Sequence, residues 1–179
     1  VCSSDLDFTC SRLIFGEADH FPGLTVDLFQ DILVTEVLSL GMEVRKHILY
    51  PLLVEQLKND GIEIRAIYER NEAALRDKEG LPKETGFYPL PGLATDLDGH
   101  LELVENGIRY HVDFINGQKT GFFLDQKYNR QAVARLAKGR TVLDCFTHTG
   151  SFALNAAVSG AKEVIGVDAS ELAVTQARE

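Results

Sequence analysis

No apolar run in this chain of 179 residues approaches the ~20 residues that a membrane-spanning helix requires, and no basic-then-apolar leader opens it. Cysteine is scarce. Cys2, Cys10 and Cys145 form no CxxC pair and no evenly spaced set, which excludes a disulfide framework and predicts reduced thiols in a cytoplasmic protein. Basic residues are outnumbered, with 18 Lys and Arg against 27 Asp and Glu and a net charge of −9. Over the whole chain that balance disfavours avid non-specific nucleic-acid binding, which depends on neutralising phosphates. There is no internal repeat and no low-complexity tract. What remains is 45% hydrophobic and 25% charged, ordinary for a globular chain with room for one domain or two small ones.

The charge is unevenly spread. Residues 114–140 hold six basic side chains (Lys119, Lys127, Arg130, Arg135, Lys138 and Arg140) against one acid, Asp125. That window carries +5 and the rest of the chain −14. It reads either as a solvated helix face or as a surface for RNA phosphates. The chain opens on Val1 and stops at Glu179 inside a helical pattern, so a fragment is expected. Residues 1–11 are set aside as disordered or non-native.

From Arg12 onward short apolar runs alternate with turn signals. Leu24–Phe29 and Ile32–Leu38 flank Gln30-Asp31 and predict a β-hairpin. Val44, Ile48, Leu52, Leu53 and Leu57 have the spacing of one amphipathic helix over 42–58, which Pro51 should kink or split. Ala66-Ile67-Tyr68 predicts a buried strand, Asn71–Lys78 a short helix, and the Gly- and Pro-rich stretch 80–100 a loop. Asn106-Gly107 between two alternating runs is the strongest hairpin signal present. Residues 12–113 therefore predict a small α+β domain with a mostly antiparallel sheet, and 114–124 a linker.

Beyond the linker the pattern changes. Asp125 is placed to cap a helix to Ala137, with Ala132, Val133 and Leu136 on its buried face. Thr141–Asp144, a loop to Gly150, a helix through Val158, a second buried strand Glu163–Asp168 and a helix capped by Ser170 complete the chain. Strand–helix–strand–helix with short loops is the start of a parallel, doubly wound sheet, so the overall class is α/β, with 125–179 supplying two βα units of a Rossmann-like domain.

The chemistry concentrates in Asp144-Cys145-Phe146-Thr147-His148-Thr149-Gly150 and in Asp168, 24 residues after Asp144. A loop between a parallel strand and a helix presents backbone N–H groups and the positive end of the helix dipole. An acid at the end of the next strand can accept hydrogen bonds from two ribose hydroxyls, which suggests adenosine. A dinucleotide needs G-x-G-x-x-G beside its pyrophosphate, whereas this loop has one glycine and a carboxylate at its start. The carboxylate would repel a pyrophosphate and attract an ammonium, so S-adenosylmethionine fits better. Cys145 reads as a small loop residue rather than a reactive thiolate, and His148 as a packing or stacking group rather than a base.

Gly117-Gln118-Lys119-Thr120-Gly121-Phe122-Phe123-Leu124-Asp125-Gln126, Asn129-Arg130 and the Asp144–Gly150 loop together resemble the class I 23S rRNA (cytosine-5-)-methyltransferases. The related guanine-methylating large-subunit enzymes share the pattern. Upstream, Arg12–Asp19, Pro22–Asp27 and Ile67-Tyr68-Glu69-Arg70 resemble the central domain of that family. The resemblance implies a substrate-side domain, then an S-adenosylmethionine domain, usually after an RNA-binding PUA domain. It implies 23S rRNA as partner, and cofactor contacts from Lys119, Thr120, Phe122, Gln126, Asp144, Phe146, Thr147, Gly150 and Asp168. Lys119 and Arg130 are the RNA-contacting candidates, and at most one of Phe122 and Phe123 is expected to reach the pocket.

In the cytosine-5 members a cysteine thiolate attacks C6 of a flipped-out base. That cysteine is expected outside this chain, so the 179 residues alone are expected to be inactive, with no catalytic residue and no metal ligand among them. Two other classes share parts of the pattern. A nicotinamide-dependent oxidoreductase uses the same strand–loop–helix–strand–acid order, and a non-catalytic RNA-binding module would explain the basic window.

Overall fold

The computed structural model describes residues 9–117 and 119–178. Residues 1–8, Gln118 and Glu179 lie outside the described residues, and with them Cys2, most of the segment set aside at the start, and one position of the glycine-bracketed motif. Two compact units are formed, Val1–Leu101 with Val112–Leu124, and Glu102–His111 with Asp125–Glu179. The hairpin residues 102–111 thus group with the second unit, and the segment expected as a linker groups with the first.

The first unit is built on a five-stranded sheet in the order β1 (Cys10–Phe15), β2 (Leu24–Phe29), β3 (Ile32–Val37), β4 (Ala66–Asn71), β5 (Glu84–Phe87). All neighbours are antiparallel except β3 and β4, which run parallel. The β2–β3 hairpin forms as the sequence predicts, with Gln30 taking a positive φ in the two-residue turn. Strand β1 starts at Cys10, two residues earlier than expected. Strand β5 lies in the stretch expected to be loop.

One face of this sheet packs under a helix. Leu24, Val26, Leu28, Leu33, Val37 and Ile67 form a core with Tyr50, Leu57 and Ile64. The helix predicted over 42–58 is two, α1 (Leu40–Glu43) and α2 (Lys46–Asn59). Pro51 lies inside α2, and the break falls earlier, at Val44-Arg45. That break rotates the phase, so Tyr50 and Leu57 are buried while Val44, Ile48 and Leu52 stand exposed. A short helix α3 (Leu75–Lys78) follows β4.

The opposite face carries Thr25, Asp27 and Glu36, paired across β2 and β3 as Thr25–Glu36 and Asp27–Val34. Alternation forces this arrangement, because neighbours of core residues in a strand point the other way. Residues 112–124 return to this unit. Phe114 packs edge-on against Tyr68 at 5.6 Å, and Gly117 accepts a hydrogen bond from Arg70 Nη1. The two motif glycines are there because space is lacking. A Cβ on Gly117 would fall on the Asp113 carbonyl oxygen, and one on Gly121, at φ +117°, would meet Val112 Cγ1 at 2.9 Å.

In the second unit, β8 (Thr141–Asp144) and β9 (Glu163–Gly166) run parallel and in register, Leu143 beside Ile165 and Asp144 beside Gly166. The strands β6 (His100–Glu105) and β7 (Ile108–Asp113), of which residues 102–111 belong to this unit, pair around Asn106-Gly107, both with positive φ as a two-residue hairpin turn requires. Helices α4 (Lys127–Ala137), α5 (Ser151–Val158) and α6 (Glu171–Gln176) complete the unit, and α4 lies against α5.

Three expectations are corrected here. The strands β8 and β9 are not buried, with Leu143 61% and Ile165 48% exposed. Helix α4 turns Arg130, Ala134 and Ala137 inward, leaving Leu136 exposed, because the ion pair of Arg130 fixes its rotation. Asp125 does not cap it either, since its carboxylate accepts from Gln126 Nε2 at 2.7 Å. Ser170 does cap α6, accepting from Ala173 N at 3.3 Å. No helix among the described residues is long and apolar enough to cross a membrane.

Candidate cofactor crevice

Both acids singled out in the sequence stand at the carboxyl ends of the parallel strands. Asp144 closes β8 and Asp168 follows β9 by two residues. The loop between β8 and α5 is drawn onto them by a short chain of hydrogen bonds. Thr147 Oγ1 donates to Asp144 Oδ2 at 2.8 Å, and Thr147 N donates to the Val167 carbonyl at 3.1 Å. Val167 N donates to the Asp144 carbonyl at 2.8 Å. His148 N then donates to Asp168 Oδ2 at 2.8 Å, and Ser170 N to Asp168 Oδ1 at 2.9 Å. Asp144, Thr147, His148 and Asp168 thereby form one network at one sheet edge.

The electrostatics follow from those bonds. The N–H groups of Ser170 and His148 hold the Asp168 carboxyl below its usual range. Each of its oxygens has a second lone pair for an incoming hydroxyl. Burial pushes the His148 imidazole down, against the pull of Asp168. A neutral ring suits packing against a ligand. Its backbone sits at φ 51°, a left-handed conformation that turns its N–H onto Asp168.

The remaining sequence candidates divide. Gly150, at φ 79°, begins α5 where a Cβ would meet Ala177 Cβ at 3.2 Å. Phe146 is 90% exposed beside this loop. The Gln126 amide donates to Asp125 and accepts from Asn129 Nδ2, so it is held by its own turn. Cys145 is exposed. Lys119, Thr120 and Phe122 belong to the first unit. There Phe122 is buried, and Lys119 is exposed with its ammonium 4.8 Å from the Phe123 ring centroid. Thr120 is buried and donates to Asp27 Oδ2 at 2.5 Å, so its proton serves a carboxylate of β2.

One candidate is overturned. Arg130 is fully buried and makes a two-pronged pair with Glu105, Nε–Oε1 2.7 Å and Nη2–Oε2 3.0 Å. It cannot reach an RNA phosphate, and its place in the basic window is structural. Sequence reasoning named Arg12, Asp27 and Arg70 only within motifs of the resemblance and gave them no role. Asp27 is completely buried and takes Arg12 Nε at 2.7 Å and Nη2 at 2.8 Å. The signal was an acid in an otherwise apolar strand, with Arg12 opposite it in the β1–β2 register. Among the described residues no cluster of His, Cys, Asp and Glu could hold a metal.

The pattern of the second half is shared with known proteins. Residues 93–179 match the family model described as S-adenosylmethionine-dependent methyltransferase. Over 93% of its length the chain is 41% identical to the ribosomal RNA large subunit methyltransferase I of Aliivibrio fischeri strain ES114, and over 94% it is 42% identical to that of Aeromonas salmonicida. It spans about 40% of the length of these curated relatives. Among solved structures, a Streptococcus mutans protein assigned as a SAM-dependent methyltransferase superposes with a TM-score of 0.74 at 25% identity, covering 95% of this chain and 41% of that one. Another, assigned as a methyltransferase and solved with S-adenosylhomocysteine, gives 0.74 at 26% identity over 95% of this chain and 40% of its own. The resemblance read from the motifs and the α/β class are those these comparisons find.

Proposed function

With residues 93–179 carrying the pattern of S-adenosylmethionine-dependent methyltransferases, we propose that this chain is part of an enzyme that methylates large-subunit ribosomal RNA, at C5 of a cytosine. The observation that carries the cofactor assignment is the Asp144–Thr147–His148–Asp168 network at the carboxyl edge of β8 and β9. Its chemistry fits a phosphate-free nucleoside. Two carboxylates flank the strand ends, and the loop has a single glycine where a pyrophosphate would need three.

In this reading Asp168 accepts the two ribose hydroxyls, with its oxygens pre-aimed by His148 and Ser170 N–H groups. Asp144, oriented by the Thr147 hydroxyl, draws the ammonium of the methionine moiety. Phe146 and the neutral His148 ring supply flat surface beside the adenine, and Gly150 lets the loop enter α5 without a side chain in the way. When bound, S-adenosylmethionine supplies an electrophilic methyl group on a sulfonium. Lys119, exposed on the first unit, is the RNA-phosphate contact.

Neither described cysteine is placed as the attacking thiolate of cytosine-5 chemistry. Cys10 lies within β1, and Cys145 follows the crevice acid in an exposed loop. The thiolate is assigned to chain outside these residues, and the 179 residues alone are proposed not to turn over.

The test uses a full-length protein containing this sequence, tritiated S-adenosylmethionine and unmodified 23S rRNA. Label should enter the RNA. In a second arm, RNA carrying tritium at cytosine C5 should release it as methyl enters. Transfer without release would redirect the reading to guanine, and no transfer would overturn it.

A further inference from the structure

A second candidate site lies wholly within the first unit. On the sheet face opposite α2 there is a cavity of about 830 Å³, within the range of small-ligand sites. Its walls divide by chemistry. Leu38, Met42 and Leu75 give apolar surface. Phe15, 59% exposed, carries the Arg12 guanidinium 5.2 Å from its ring centroid, a flat aromatic–cation pair at the same wall.

Glu36 and Arg70, both in the lining, keep hydrogen-bonding capacity unspent. Glu36, half-buried on β3, has no side-chain hydrogen bond or ion pair among the described residues. Arg70, its side chain only 10% exposed, spends Nη1 on the Gly117 carbonyl and Nη2 on Glu72, while its buried Nε finds no partner among the described residues. A buried donor and a half-buried acceptor left unmade are costly, so such groups point to a ligand that supplies the complement. Burial pushes the Glu36 carboxyl above its usual range. Arg12 and Arg70 oppose that push, and Glu72 and Asp27 add to it.

We propose that this cavity takes one unpaired nucleobase bearing an exocyclic amine, whose amino group donates to Glu36 while a ring acceptor takes the Arg70 Nε proton. The flat face of the base lies against Phe15 and Arg12. A base with a carbonyl in place of the amine sets an oxygen against the Glu36 carboxylate and is rejected. That the base arrives as part of an RNA rests on the reading in the preceding subsection, whereas the preference for an amine rests on the cavity alone.

Met42 is the sole methionine of the sequence and lines the cavity, so its methyl carbon is a single-resonance reporter. The ¹³C-methyl-methionine-labelled 179-residue chain is titrated with CMP and with UMP, which differ by an amine against a carbonyl at one ring position. CMP should shift the Met42 signal saturably, with affinity at least tenfold above UMP. Glu36→Leu should bring CMP down to the level of UMP, and Glu36→Gln, whose amide can accept from the CMP amine or turn to donate to the UMP carbonyl, should narrow the preference by raising the affinity for UMP. Equal affinities for CMP and UMP in the unsubstituted chain, or no shift with either, would overturn the assignment without recourse to a variant. S-adenosylhomocysteine shifting Met42 more tightly than CMP would overturn it as well, by making the cavity a cofactor site. Failure of a full-length protein containing this sequence to bind S-adenosylhomocysteine, with the CMP preference of the 179-residue chain intact, would sink the preceding reading and leave this one standing.

Discussion

Glu105 grips Arg130 through two parallel hydrogen bonds, 2.7 and 3.0 Å long, with the guanidinium wholly shielded from solvent. This pair ties the β6–β7 hairpin to α4 and explains why residues 102–111 group with the second unit. Removing one partner of such a pair strands a buried charge. Arg130→Ala is expected to destabilise the second unit by about 3–5 kcal/mol, and the Arg130→Met, Glu105→Leu double variant by much less than the sum of the single changes. Urea unfolding followed by circular dichroism measures both. A loss under 1 kcal/mol for the single variant would contradict the account.

Thr120 serves Asp27 in the first unit as Glu105 serves Arg130 in the second. Its hydroxyl is one of three donors on a carboxylate with no solvent contact. Thr120→Val keeps the shape and removes the donor, and is expected to lower stability by about 1.5–3 kcal/mol. The denaturation midpoint should fall with an unchanged slope. An unchanged midpoint would show that the bond contributes nothing.

Much of this architecture is legible in the sequence because local chemistry dictates it. Gln30-Asp31 and Asn106-Gly107 make tight turns, Ser170 can cap a helix, and the two short β-rich runs after residue 140 have room only for parallel pairing. The failures have physical causes too. Strand β5 is hidden because Gly86 and the surrounding prolines read as loop, while tertiary pairing with β4 makes it a strand. The stripe Val44, Ile48, Leu52 looks like a core face only if 42–58 is one helix. The break at Val44-Arg45 turns it outward. In α4 the buried face is chosen by one charge pair rather than by the larger apolar residues, and a partner 25 residues away is invisible to periodicity. In the candidate crevice the two acids and the loop between them were legible. That Thr120 is claimed by Asp27 depends on residues 93 positions apart.

Asp168 gives the second unit an acid-side pH dependence. Its folded-state carboxyl lies below the ordinary value of 3.8, held there by Ser170 and His148 N–H groups. A lowered folded value means that the stabilisation is complete above about pH 5 and is lost as the pH falls through the lowered value. Denaturant midpoints taken from about pH 5 down to about pH 2.5 should fall more steeply for the unsubstituted chain than for Asp168→Asn. Parallel profiles would contradict the assignment of these bonds.

Cys145 is the group most easily mistaken for a nucleophile, because it directly follows the crevice acid. Cys145→Ser in a full-length protein containing this sequence is expected to leave the rate of methyl transfer to rRNA within about twofold, since a loop residue that makes no transition-state contact contributes no barrier lowering. A loss of 10³-fold or more, of the size seen when a covalent catalyst is removed, would place the attacking thiolate here instead.

The central claim is that two strand-end carboxylates form the seat of a phosphate-free adenosine ligand. Titration calorimetry on a full-length protein containing this sequence tests it most directly, with S-adenosylhomocysteine and NADH as alternative ligands. The account predicts saturable binding of S-adenosylhomocysteine, none of NADH, and an affinity about 10–100-fold weaker in Asp168→Ala, the size of losing charge-assisted hydrogen bonds to the ribose. Binding of NADH in its place, or S-adenosylhomocysteine binding untouched by Asp168→Ala, would contradict it.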